Sequence, residues 1–198
     1  MHFHSVAMSR WLTVIGIGED GLDGLPKSSQ KLIFDAEVLV GGVRHLTKIP
    51  SSGALRVSWG ENLIKTIKTL IKYKTKKIVI LASGDPLEFG VGSSLVRAYS
   101  PSEIRIIPHQ SAFSLAASRM CWPLPDVYKT TLHGRPLDSL NYLIYPNSRI
   151  LILSRDRQTP KQLADHLSSI GYGKSHLSIF ENLDGDCERK TFVKAQDT

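Results

Sequence analysis

Residues 14–24 read VIGIGEDGLDG, an apolar run that breaks into Gly16, Gly18 and Gly21. The spacing G-x-G-x-x-G after a strand-like run is that of a dinucleotide-binding turn, where glycines let backbone approach a pyrophosphate at a helix N-terminus. Two features reject that assignment. The loop carries Glu19, Asp20 and Asp23, and each carboxylate facing a phosphate at contact distance is repelled by about 1 kcal/mol even in bulk water. The acids that would take a ribose, Asp35 and Glu37, lie before and at the start of the next strand, EVLV, instead of at its end, where it closes on Gly41 and Gly42. What remains is a tight strand-to-helix turn opening an α/β fold, and an NAD-binding oxidoreductase is set aside.

Outward from that turn, β-like and helix-like runs alternate, the pattern of a mostly parallel sheet covered by helices. Strands are expected at 11–17, 37–40, 55–59, 77–82 and 103–107, and helices at 26–36, 61–73, 92–99 and 111–119. MCWPLPDV, 120–127, interrupts the alternation, since Pro123 and Pro125 favour extended backbone. The chain is therefore divided into an N-terminal α/β domain, 11–120, and a smaller C-terminal α/β domain, 121–198. In the second, strands are expected at 127–132, 149–153, 176–181 and 190–193, with a helix at 137–145 and another opening with Thr159 as N-cap and Pro160 as its first residue. A turn is expected around Asp184 and Gly185. Residues 1–10 are read as a leader outside the fold, disordered or left from an upstream start. Its His2 and His4 could grip a metal, but no metal site is expected.

With 198 residues, 41% hydrophobic and 22% charged, the composition is that of a globular chain able to bury a core without staples. No apolar run approaches the roughly 20 residues of a membrane helix. The two cysteines, Cys121 and Cys187, have no metal or redox spacing, which fits a reducing cytoplasm. A net charge of +7 points to an acidic partner. The densest basic run, Lys65 to Lys77, decorates a helix whose other side is Leu63, Ile64, Ile67, Leu70 and Ile71. Such runs are ordinarily solvated faces.

IVILASGDPLEFGVGSSL, 78–95, delivers Gly84-Asp85-Pro86 at the end of a buried-looking strand, with Gly90 and Gly92 before a helix. Ligands of open α/β sheets bind at such ends, although G-D-P alone is common in plain turns. It is not a Walker loop, because no Lys follows the last glycine. Together with VIGIGEDGLDGL, IPHQSAFSLAASRMCWP (107–123), ILSRDRQTPKQLADHL (152–167) and IFENLDGDCER (179–189), this stretch resembles the tetrapyrrole methylase family, the class III S-adenosylmethionine-dependent methyltransferases, from Trp11 to about Val193. The opening, LVGGVRHL (39–46) and ENLDGDCER are most like the members that methylate C5 of a precorrin in cobalamin biosynthesis. Most of the family has Pro-Gly-Asp where this chain has Glu19-Asp20-Gly21, which puts a binding role for that loop in question.

The resemblance implies a two-domain fold with the active-site cleft between domains, a homodimer, and S-adenosylmethionine as cofactor, released as S-adenosylhomocysteine. It places cofactor contacts at Gly84, Asp85, Pro86, Glu88, Ser111 and Ala112, and in the second domain at Ser154 and Leu183. Asp85 would meet the cofactor's amino group or cap the following turn, the cap being favoured because Asp is a common turn residue. Methyl transfer from a sulfonium needs alignment and exclusion of water more than acid–base chemistry, and no catalytic residue is named. The carboxylate-fringed substrate suits the positive charge. Arg119 and Arg135, flanking the linker, are the foremost candidates to pair with its carboxylates, ahead of His133, Arg155 and Arg157. His109 is read as a packing or hydrogen-bonded residue. The C15-methylating and decarboxylating chemistry of the two-activity members belongs to a further domain or subunit not contained in these residues. Nucleic acid and membrane are not expected as partners. The retained alternatives are a same-fold methyltransferase acting on RNA or protein, for which the Lys65–Lys77 face would be the docking surface, and a non-catalytic S-adenosylmethionine- or tetrapyrrole-binding module.

Overall fold

A computed structural model describes residues 10–198, so the leader expected at 1–10, with His2 and His4, lies outside the described residues except for Arg10. The chain folds as two compact units, one ending at Ser111 and the other running Ala112–Thr198.

In the first unit, β1 (Leu12–Ile17), β2 (Val38–Gly41), β3 (Leu55–Ser58), β4 (Ile78–Ser83) and β5 (Ile104–Ile107) form one sheet in the order β3-β2-β4-β1-β5, every neighbouring pair parallel. Period-two alternation sends successive side chains to opposite faces. Leu12, Val14, Ile78, Ile80 and Ala82 pack on one side with Ile67, Leu70 and Leu95. Ile15, Ile17, Val79 and Leu81 pack on the other with Ile33 and Leu46. Helices α1 (Lys27–Phe34) and α2 (Val43–Thr47) thus cover one face, and α3 (Leu63–Thr69) and α4 (Gly92–Ala98) cover the other. The chain passes from β1 across β4 to reach β2, and from β4 across β1 to reach β5, so the connections after these two strands run in opposite senses along the sheet.

The expected strands hold to within a residue or two, and the helices depart in ways the packing explains. The run expected at 61–73 is an α-helix only over Leu63–Thr69, capped by the Asn62 side chain, which accepts from the Lys65 amide at 2.9 Å, and tightens to a 3₁₀ turn over Leu70–Tyr73. Its apolar side is narrower than expected, because Ile64 and Ile71 are 55% and 49% exposed while Ile67 and Leu70 are buried. Of the lysines on this stretch, Lys74 bonds Glu103 at 3.0 Å.

In the second unit, β6 (Tyr128–Thr131) pairs in parallel with β7 (Ile150–Leu153), and β8 (His176–Glu181) pairs antiparallel with β9 (Arg189–Lys194). Helix α5 (Ala112–Met120) belongs here, since Phe113, Ala116 and Ala117 share a core with Leu151, whereas the boundary expected near residue 120 would leave it with the first unit. The helix expected at 137–145 is instead a 3₁₀ segment, Leu137–Leu143. Leu137, Leu140 and Leu143 recur at exact threes, the repeat that eclipses side chains on a 3₁₀ helix. Helix α6 (Thr159–Ser169) begins one residue earlier than expected. Thr159 is its first residue and 2% exposed, so Thr159 is not the N-cap. The capping oxygen is Asp156 Oδ1, which accepts from the amides of Gln158 and Thr159, each at 3.0 Å.

At the C-terminal edge of the first sheet, the Gly84 amide donates to the Ile17 carbonyl at 3.1 Å, and the His109 amide donates to the Gly84 carbonyl at 3.2 Å. A Cβ at Gly16 would overlap the Gly84 carbonyl oxygen and stand 2.5 Å from the His109 nitrogen. Gly16→Ala is expected to cost roughly 3 kcal/mol or more of unfolding free energy, because backbone cannot rotate away as a side chain can. Gly53→Ala, whose added methyl meets nothing within 4 Å, should shift stability by less than about 0.5 kcal/mol. Urea titrations of the two variants beside the parent chain check the contrast.

Candidate functional site

The loop after β4 is built from its own backbone. Gly84 has φ +52°, a left-handed conformation that suits glycine, and a Cβ there would press on the Gln110 carbonyl at 2.9 Å and the Ser111 Cα at 3.1 Å. Asp85 Oδ1 accepts from the Leu87 amide at 2.9 Å, and its carbonyl accepts from the Glu88 amide at 3.1 Å. Asp85 therefore caps the turn, as favoured from sequence. Pro86 is buried and Glu88 half-buried. Of the residues expected to hold a cofactor, Gly84, Asp85, Pro86 and Glu88 lie in this loop, and Ser111, 7% exposed, touches its base where β5 runs on toward α5. These residues are together at the C-terminal edge of one parallel sheet.

The remaining expected contacts fall in the second unit. Ala112, Ser154 and Leu183 all line one cavity of about 300 Å³, whose walls come from α5, β7, α6 and β8. Its lining is mainly apolar, including Phe113, Ile152 and Leu163, and polar groups such as Ser154 sit at strand ends. Such a lining suits an uncharged organic moiety more than a phosphate.

The first glycine loop has a different construction. The Asp20 carboxylate lies against Gly24 and Gly18, and Asp20 Oδ1 is buried without a hydrogen-bond partner among the described residues. The loop thus packs its own anion where a pyrophosphate would need amides. Glu19 is held by Arg44 at 2.8 Å and Lys48 at 2.6 Å. Burial pushes the Glu19 carboxyl up, but the Lys48 hydrogen bond and the charges of Arg44 and Lys48 outweigh it and leave the group below the usual carboxylate range. His109 Nε2 lies 3.3 Å from the Gly24 carbonyl and its Nδ1 is buried, in keeping with the packing role expected for it.

The two arginines expected to meet substrate carboxylates differ. Arg119 is committed inside its own unit: Nε and Nη2 bond the two carboxylate oxygens of Glu188 at 2.7 and 2.8 Å, and Nη2 also reaches Asp184 at 3.2 Å. This fork ties α5 to the turn joining β8 and β9, where Asp184 has φ +66°. Arg135 stands exposed in the turn after β6. His133 and Arg157 are exposed, and Arg155 is taken up by Asp156 at 3.0 Å. No group of His, Cys, Asp or Glu able to hold a metal occurs among the described residues, and no helix among them is long and apolar enough to cross a membrane.

Residue-by-residue reading missed one constellation. Arg44 and His45 on α2, with Lys48 capping that helix, face Glu19 and the Ser83 hydroxyl at the end of β4. Its signal was present in LVGGVRHL, a basic cluster directly after a strand.

The chain matches the family model of the tetrapyrrole (corrin/porphyrin) methylases over residues 11–189. It is 43% identical over 186 residues to the precorrin-6Y C(5,15)-methyltransferase [decarboxylating] of Sinorhizobium sp, covering 93% of this chain but 45% of that protein. It therefore spans about half the length of such relatives. It is 32% identical over 179 residues to the cobalt-precorrin-7 C(5)-methyltransferase of Salmonella typhimurium, covering 90% of this chain and 88% of the relative. Among solved structures, the methyltransferase CobJ superposes with a TM-score of 0.78 at 19% identity, over 96% of this chain and 88% of that one. Uroporphyrin-III C-methyl transferase from Thermus thermophilus, complexed with S-adenyl homocysteine, superposes with a TM-score of 0.68 at 19% identity, over 93% and 83%. These two likenesses speak for the fold.

The Arg119 fork carries a pH signature. Its guanidinium, then the Asp184 amide, hold the Glu188 carboxyl down to about 2, from an ordinary value of 4.5. A depressed carboxylate contributes stability that is complete above its unfolded value and is lost as pH falls through its folded value. The stability gap between the parent chain and Glu188→Gln is therefore expected to be full at pH 7, to shrink below pH 4.5 and to vanish near pH 2. Denaturant titrations at stepped pH read it directly.

Proposed function

The chain belongs to the tetrapyrrole methylase family, and from that premise we propose that it transfers the methyl group of S-adenosylmethionine to C5 of a precorrin in cobalamin biosynthesis. The observation that carries this reading is the match to a C5-methyltransferase across nearly the whole of both chains. The local structure fits such a cofactor. Gly84 offers backbone without a side chain, Asp85 fixes the turn, and Ala112, Ser154 and Leu183 border an apolar cavity.

When bound, the cofactor supplies an electrophilic methyl on a good leaving group, so the protein's part is to fix geometry and keep water away. The residues assigned to hold it are Gly84, Asp85, Pro86, Glu88 and Ser111, together with Ala112, Ser154 and Leu183. Arg135 is assigned to a substrate carboxylate. Arg119, whose fork is filled by Glu188 and Asp184, would act on the substrate through the placement of the β8–β9 turn. The +7 net charge favours capture of a polyanion, by roughly ten- to a thousandfold for a well-focused cleft. We assign the protein to the cytoplasm, in keeping with free, exposed Cys121 and Cys187, and take it to work as a homodimer. The C15 and decarboxylation steps named for the longer relatives are assigned to a separate domain or subunit.

Isothermal titration with S-adenosylmethionine, S-adenosylhomocysteine and NAD tests the reading. The homocysteine form is expected to bind, Asp85→Arg and Ala112→Trp to lose that binding by at least tenfold, and NAD to give no signal. Equal weakness for all three ligands would overturn the assignment.

A further inference from the structure

Replacing hydrogen by methyl on a methine carbon of a tetrapyrrole requires that a proton leave. An electron pair of the ring carbon forms the new C–C bond, and the C–S pair departs with sulfur, which becomes a neutral thioether. The positive charge passes to the ring, and neutrality returns when the carbon's original hydrogen leaves as a proton, its bonding pair rejoining the conjugated system. A weak base beside the site speeds that last step, and none was assigned from sequence.

The end of β4 holds one. Ser83 is exposed, immediately precedes Gly84, and places its Oγ 3.0 Å from His45 Nε2 and 3.4 Å from Arg44 Nη2. A guanidinium can only donate, and Arg44 Nη2 lies 3.5 Å from His45 Nε2 as well as 3.4 Å from Oγ, so Nε2 faces donors, carries no hydrogen and accepts the Ser83 hydroxyl proton. This network assigns the neutral imidazole with its hydrogen on Nδ1, a buried nitrogen with no partner among the described residues. Arg44 is steadied by Glu19, and Lys48 grips the same carboxylate and the carbonyls of Gly18 and Glu19 at 3.2 and 2.8 Å. The charged groups facing His45 are Arg44 and Lys48 of its own helix and Glu19 from the loop after β1. Burial first, then Arg44 and Lys48, push the imidazole below the ordinary histidine range, with Glu19 opposing. It is therefore a free base at neutral pH, and once protonated it passes its proton on readily.

Resting on the methyltransferase reading, we propose that Ser83 and His45 form the proton exit of the reaction, Ser83 Oγ taking the hydrogen displaced from the methylated carbon as its own proton passes to His45 Nε2. Ser83 is then the catalytic residue that meets the substrate and His45 the acceptor behind it, while Arg44 and Glu19 are positioning residues.

The test uses the full chain with cobalt-precorrin-7, and His45→Gln, Ser83→Ala and Ser83→Thr variants. Single-turnover methylation should fall by about a hundredfold or more in His45→Gln and Ser83→Ala, within the usual range for a lost general base. It should return to within about tenfold in Ser83→Thr, which keeps the hydroxyl. The acidic limb of the parent pH–rate profile should disappear in His45→Gln, and deuterium at the methylated carbon should slow that variant more than the parent. Independently of turnover, NMR titration should show the His45 imidazole as the Nδ1–H tautomer with a pKa below 6.5, and Ser83→Ala should change both. Titration with S-adenosylhomocysteine separates the outcomes. If His45→Gln and Ser83→Ala bind it as the parent does and keep the parent's rate and pH limb, the proton exit is wrong and the methyltransferase reading stands. If the parent itself neither binds it nor turns over, both fall.

Discussion

The Gly84 carbonyl accepts the His109 amide at 3.2 Å while the Gly84 amide reaches the Ile17 carbonyl at 3.1 Å, and Gly16 passes so close that no Cβ fits. Three strand ends are thereby tied by backbone alone at the C-terminal edge of the first sheet. Hydrogen bonds of this kind contribute only about 1 kcal/mol each on balance, yet leaving such buried groups unpaired costs more. The consequence is geometric. The loop carrying Asp85 and Pro86 leaves the sheet in one direction, set by Gly84 at φ +52° and the Ser111 backbone beneath it. Any ligand held by that loop inherits its position from main chain, which cannot change rotamer.

The charges around this junction are arranged so that anions of the protein are used up locally. Glu19 is shared by Arg44 and Lys48, and Asp20 is folded against Gly18 and Gly24. In the second unit, Glu188 and Asp184 meet Arg119. A loop with acids at 19, 20 and 23 thus becomes a structural turn in which Glu19 faces arginine and lysine and Asp20 faces inward, while Asp23 is exposed. This also explains why its glycine spacing mimics a nucleotide fingerprint without its function: at Gly16 and Gly18 the Gly84 carbonyl and the Asp20 carboxylate stand where side chains would be, and Gly21 has φ +65°.

The centre of the sheet was legible because β1 and β4 are buried on both faces, so LTVIGI and IVILAS are nearly continuous apolar runs whose limits the burial itself sets. The loop after β4 was legible because Gly84 to Glu88 are contiguous in sequence. Helix details were not, for particular reasons. Leu137, Leu140 and Leu143 satisfy either a short α-helix or a 3₁₀ turn, and only packing decides. Thr159 looks like an N-cap, but Asp156 three residues earlier is the better acceptor and sends Thr159 inward. VRHLT is five residues long, too short for helical periodicity to declare itself. The partners of Arg119 lie 65 and 69 residues away, beyond any spacing rule.

His45 and Ser83 are separated by 38 residues and could not be paired from sequence, yet the topology makes their meeting almost obligatory. β2 and β4 are parallel neighbours with Val40 opposite Ile80, so the residues that follow β2 and those that end β4 emerge side by side. β1 adjoins β4 on its other side, with Ile17 opposite Ser83, which brings Glu19 to the same corner. A parallel sheet collects its strand ends at one edge, and there a rigid backbone cradle and a set of titratable side chains can be built by different segments. Methyl transfer asks for the first and loss of a proton for the second. Under the proposed reaction the two requirements would fall to adjacent residues, Gly84 and Ser83, whose neighbours across the sheet differ: backbone of β1 and the β5 loop for one, the polar end of α2 for the other.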